Sequence, residues 1–142
     1  MYEDDNMILE SEENFVFSYF KQPEITEEIA INIIETRHKV CPYPIITIID
    51  ARNVKWVSGK AFLILASKRA TENILMSSTV VSSKIGKFLG NIYYSILPQS
   101  FPTRLHNSYD EASEWIKETS GKDFPIFYAI KNIDYTFDVN PN

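Results

Sequence analysis

Residues 45–49 read Ile-Ile-Thr-Ile-Ile and run straight into Asp50. A run this short, β-branched and nearly continuously apolar is a strand covered on both faces. Such a strand belongs in the middle of a parallel sheet. A strand with one wet face would alternate apolar and polar residues instead. This segment alone points to a layered α/β architecture, because parallel neighbours need crossover connections that lie on the sheet.

The flanking sequence supplies those crossovers. Met7-Ile8-Leu9 and Phe15–Phe20 are β-prone patches separated by the turn-like Glu10–Asn14, and they predict a hairpin or a broken first strand. Thr26 is an N-cap, Glu27 and Glu28 suit the first helical turn, and Ile29, Ile33, Ile34 and Val40 follow helical spacing. Arg37, His38 and Lys39 suit the last turn, and Pro42 and Pro44 stop the helix. A second helix is expected from Gly59 to about Glu72, a strand over 75–81, and a third helix from Ser83 to Leu97. Thr103–His106 predicts a short strand. Ser108 and Glu111 form a capping box for a last helix closed by Gly121. The order is β-α-β-α-β-α-β-α with mostly parallel strands, one domain over residues 1–121.

Residues 122–142 form an extension. Phe124, Ile126, Tyr128 and Ile130 alternate, as do Ile133, Tyr135, Phe137 and Val139, with Lys131-Asn132 between them. This is strand periodicity twice over, and it predicts a C-terminal β-hairpin. A lone hairpin is barely stable, so its apolar face needs a cover. The cover is the domain itself, a second copy in a homodimer through residues 122–142, or another partner.

Charge is distributed unevenly around a net of −5. Residues 1–28 carry a net −8, residues 29–109 a net +7 and residues 110–142 a net −4. The acidic balance argues against nucleic acid as partner. The basic middle either balances the acidic ends within the chain or forms a face for an acidic partner. Cys41 is the one cysteine, so no intrachain disulfide forms and a reducing, cytoplasmic compartment is expected. The first residues are acidic where a signal peptide is basic, and no apolar run reaches the length of a membrane span.

No catalytic pattern emerges, and none of the usual phosphate, zinc-protease or nucleophile-elbow motifs occurs. His38, His106 and Cys41 cannot assemble a Cys/His zinc centre. No cofactor or metal is expected. His38 near Cys41 reads as a helix-end cation and a packed thiol. Gly86 and Gly90, four apart in a helix, read as close packing.

One region invites binding. In open parallel sheets, ligands and partners meet the carboxyl ends of the strands, where helix N-termini offer free N–H groups. Asp50, Arg52, Lys55, Ser58 and Lys60 follow one strand, and Ser83 and Lys84 follow the next. Either Ser58 and Ser83 are ordinary N-caps beside solvated lysines, or these seven residues receive a partner's carboxylate or a phosphate.

The stretch Ile45-Ile46-Thr47-Ile48-Ile49-Asp50 through Trp56-Val57-Ser58-Gly59-Lys60-Ala61-Phe62 also resembles the centre of a STAS domain, as in anti-sigma-factor antagonists. In that family an apolar strand ends in Asp, and an Asp-Ser-Ser-Gly motif opens the next helix. Asp50 and Ser58-Gly59 match. Arg104–Ile116 resembles the family's closing strand and helix, and the resemblance spans about residues 8–120. It implies a divergent bacterial branch and a non-enzymatic protein-interaction or regulatory module. Trp56 and Val57 stand where the family has its Asp and its phosphorylated Ser, so the usual switch is expected to be missing unless Ser58 serves. Some relatives resemble lipid-transfer domains, which implies the alternative of a small apolar-ligand or lipid-binding domain with its pocket under the Ile85–Leu97 helix.

Overall fold

The computed structural model describes residues 1–84, 86 and 100–139, the last six by backbone alone. Its centre is a six-stranded sheet. The strands are β1 (Tyr2–Glu3), β2 (Met7–Glu12), β3 (Phe15–Phe20), β5 (Ile45–Asp50), β7 (Ile74–Val80) and β8 (Thr103–His106), in the spatial order β1-β2-β3-β5-β7-β8. A separate parallel pair joins β4 (Glu24–Ile25) to β6 (Trp56–Val57). The expected hairpin is β2–β3, antiparallel, with Glu13 at φ 54 in the turn. From β3 onward every pairing is parallel. The apolar run of β5 therefore lies in the interior of the sheet, flanked on both sides by parallel strands.

Its composition follows from that position. Ile46 and Ile48 face a cluster with Phe15, Phe17, Met76 and Val80, covered by α4 (Tyr109–Ser120) and α5 (Tyr128–Val139). Ile45 faces the opposite cluster with Val16, Phe20 and Ile33, covered by α1 (Glu27–Val40) and α2 (Gly59–Leu65). Two covered faces leave no room for polar alternation.

The local signals at helix ends do what their chemistry suggests. Thr26 Oγ1 accepts from Ile29 N at 3.3 Å, and Ser108 Oγ accepts from Glu111 N at 3.1 Å. Gly121 closes α4 at φ 74, a left-handed conformation that suits glycine.

The helix expected over 59–72 is two pieces. Ser67 Oγ caps Ala70 N at 3.2 Å and starts α3 (Lys68–Thr71). A serine able to bond its own backbone offers the chain an alternative to continuing the helix. The helix expected over 83–97 lies outside the described residues except for Ser83, Lys84 and Gly86, where Gly86 N donates to Ser82 O at 2.8 Å. A methyl group on Gly86 would come within 3.2 Å of Val81 Cγ2, which fits the close packing expected there; Gly90 is not described.

The tail is a correction. In place of a hairpin, residues 128–139 form α5, and Phe124, Phe127, Ala129, Ile130 and Ile133 join the core beneath it. Pro125 explains part of the difference, since it cannot donate to a strand ladder. The larger cause is tertiary. The sheet face built from Phe15, Phe17, Ile46 and Ile48 needs more cover than α4 provides. Ala129, Ile130 and Ile133, spaced at i, i+1 and i+4, fit one helical stripe. Glu10 fixes the helix start by accepting from Ala129 N at 2.7 Å, and Tyr109 Oη donates to Pro125 O at 2.8 Å. The described apolar residues that enter this cluster are thus covered by the chain's own sheet, and a second copy is not needed to bury them.

Candidate functional site

The seven residues expected to bind gather at one end of the sheet. Asp50 is in register with Val80, Ala51 N donates to Val80 O at 2.8 Å, and Val81 N donates to His106 O at 2.9 Å. The connections after β5 and β7 therefore leave side by side.

The first connection is tightly anchored. Asp50, 2% exposed, accepts from Arg52 Nη2 at 2.7 Å, from Arg52 Nε at 3.0 Å and from the Arg52 backbone N at 3.1 Å. A two-pronged guanidinium–carboxylate pair of this kind sets geometry as well as energy. Further on, Asn53 Nδ2 donates to Lys21 O at 2.7 Å, and Lys55 N donates to Pro23 O at 2.7 Å. Ser58 N donates to Ile25 O at 3.1 Å. Asp50 is consequently a positioning residue with almost no surface to offer a partner. Ser58 Oγ accepts from Ala61 N at 3.0 Å and caps α2.

What this frame displays is Lys55, Trp56, Lys60 and Leu63. Trp56 is 54% exposed and Leu63 64%. Among the described residues no carboxylate pairs with Lys55, Lys60 or Lys84, whereas Arg69 is paired with Glu35 at 2.8 Å and Arg37 is buried. Much of the positive charge read from the middle of the chain is therefore spent inside it. The surface is mixed, since Glu24 is in register with Trp56, and Glu27 and Glu28 open the helix packed on α2. Ser83 and Lys84 are exposed on the neighbouring connection. Sequence reasoning assigned the lysines but missed Trp56 and Leu63. Of the four consecutive large apolar residues Phe62, Leu63, Ile64 and Leu65, only Leu63 is exposed.

A second polar pair escaped the sequence reading. Ser78 Oγ and His106 Nδ1 lie 2.7 Å apart across β7 and β8, with the imidazole 5.4 Å from the Trp115 ring. A serine beside a histidine has the composition of a nucleophile and base. Ser78, however, is fully buried, so no substrate reaches it. Burial pushes the His106 imidazole below its usual range, and nearby Arg104 adds to the effect. The fold thus favours neutral His106. Below about pH 6.5 the unfolded chain takes up this proton first. Stability from this site is full above that pH and is lost as pH falls toward the folded value. The thermal midpoint should decline between pH 7 and 5, less so in His106→Asn. Equal declines would remove His106 as the cause.

Between the sheet and α1–α3 lies a cavity of about 170 Å³. Its floor is Ser18, Thr47, Ser77, Thr79 and Thr103, and apolar side chains including Ile33, Phe62 and Leu65 wall it. Thr47, Ser77 and Thr103 are neighbours in register across three strands. Bulky side chains fill the other sheet face, while these small ones leave space.

This mostly parallel sheet with helices on both faces matches a SpoIIAA-like, that is STAS-like, fold. The structure superposes with a TM-score of 0.57 on the crystal structure of an uncharacterized protein from the DUF3478 family with a SpoIIAA-like fold, from Shewanella loihica PV-4. The two are 10% identical, and the match covers 77% of this chain and 90% of that one. The chain belongs to DUF7793, a domain of unknown function whose family model matches residues 7–120. No curated protein matches it. No helix among the described residues is long and apolar enough to cross a membrane.

Proposed function

We propose that this domain is a non-enzymatic protein-interaction module that docks its partner on Lys55, Trp56, Lys60 and Leu63, flanked by Ser83 and Lys84. The observation carrying this reading is the exposure of Trp56 on a connection whose backbone is anchored at Asp50, Pro23 and Ile25, with Leu63 exposed on the helix that follows. A half-exposed tryptophan on a rigid support, rimmed by lysines that no carboxylate among the described residues pairs with, has the chemistry of a binding anchor. Arg52 and Asp50 hold the support, and Lys55 and Lys60 favour an acidic partner. Regulation by phosphate at the usual position is absent, because Val57 has no hydroxyl. Ser58 remains a chemically acceptable site at a helix N-terminus. A reducing, cytoplasmic setting suits the single buried thiol of Cys41.

Exposed positions away from the core tolerate substitution, so the thermal midpoint of a Lys55→Glu/Lys60→Glu double variant should move by less than about 2 °C. Its affinity for the natural partner should fall at least about 30-fold, as should that of Trp56→Ala. Partner affinity unchanged in both variants would contradict this docking surface.

A second reading is supported by the cavity over Thr47, Ser77 and Thr103. A concave, mostly apolar space with a few polar groups suits a small apolar ligand.

A further inference from the structure

The second reading leaves the ligand's chemistry open, and Arg37 narrows it. This side chain lines the cavity and is 7% exposed. Nη2 donates to Ala70 O at 2.8 Å and to Glu72 O at 3.1 Å. Nη1 is buried and has no acceptor among the described residues. No carboxylate among the described residues forms an ion pair with it. A guanidinium keeps its charge in almost any protein setting, and burying it without a counter-charge is strongly unfavourable. Buried polar groups in native proteins nearly always have partners. An acceptor entering the cavity would satisfy Nη1, and an anionic one would also answer the charge.

We propose that the cavity holds a small amphipathic carboxylate, its head on Arg37 and its apolar body over the Thr47–Ser77–Thr103 row. This rests on the apolar-ligand reading and specifies the head group. Inorganic phosphate meets the charge but leaves the apolar walls uncovered. A neutral hydrocarbon covers the walls but leaves Nη1 unpaired. A carboxylate with an aliphatic or aromatic body meets both demands. Size follows from the volume. A cavity of about 150 Å³ elsewhere holds benzene, so about 170 Å³ suits a body of about six carbons. The floor does not oppose this, because Thr47 Oγ1 already donates to Val16 O at 2.9 Å and need not be satisfied by the ligand.

The test is calorimetric titration of the full chain with hexanoate, hexan-1-ol and inorganic phosphate. Hexanoate should bind with a dissociation constant below about 1 mM and at least ten-fold tighter than hexan-1-ol or phosphate. Arg37→Met should abolish the preference for hexanoate over hexan-1-ol. Because Arg37 also holds Ala70 and Glu72, Ser77→Leu provides a second variant that fills the space while sparing the guanidinium. A folded Ser77→Leu protein should lose hexanoate binding. Equal binding of hexanoate and hexan-1-ol overturns the carboxylate assignment and leaves an apolar-ligand site standing. Absence of binding by either overturns both. Tighter binding of phosphate than hexanoate, or undiminished hexanoate binding by Ser77→Leu, also overturns the proposal.

Discussion

Asp50→Ala should destabilise the protein by about 3 kcal/mol and lower its thermal midpoint by about 10 °C. The carboxylate is nearly inaccessible and accepts three donors from Arg52. Removing it takes away the carboxylate 2.7 Å from a guanidinium that is only 16% exposed. Breaking a buried pair from one side costs about 3–5 kcal/mol, and the partial exposure of Arg52 favours the lower end. Asp50→Asn keeps the shape and one acceptor oxygen and should cost less. Denaturant unfolding measures both. A loss below 1 kcal/mol for Asp50→Ala would mean the pair contributes little to holding the connection.

The second large effect is in the tail. Phe124→Ala should cost about 3–4 kcal/mol, in the range of a buried aromatic cut to a methyl group. Its ring makes edge-to-face contacts with Phe15 at 5.5 Å, Phe127 at 5.8 Å and Tyr109 at 6.2 Å between centroids. Deleting residues 122–142 removes Phe124, Phe127, Ile130 and Ile133 together and bares Phe15 and Ile46. At about 2 kcal/mol for each large side chain, the loss is comparable to the whole stability of a domain this size. The truncated chain should be unfolded or insoluble. A well-folded truncated chain with an unchanged midpoint would contradict the packing of α5 on the sheet.

The sequence revealed most of the frame and less of its covering. Ile45–Ile49 announced an interior strand because burial on both faces leaves a compositional mark. Thr26, Ser108 and Gly121 announced helix ends because capping is local chemistry. The tail misled for the opposite reason. Alternation at 124–130 is compatible with a strand, but α5 is decided by an uncovered sheet face contributed by residues far earlier in the chain. Asp50 was correctly placed at a strand end, yet its burial depends on Arg52 folding back. The lysines looked like a basic field, whereas the exposed large apolar side chains beside them are Trp56 and Leu63. Arg37 looked like a helix-end cation. Its burial beside a cavity depends on the fold bringing Ala70 and Glu72 to it across more than thirty residues.

The docking surface is tested most directly by the fluorescence of Trp56 in a Trp115→Phe background, which leaves one indole in the chain. Partner binding should shift its emission to shorter wavelength and protect it from acrylamide quenching. A saturated complex with Trp56 emission and quenching unchanged would contradict the account.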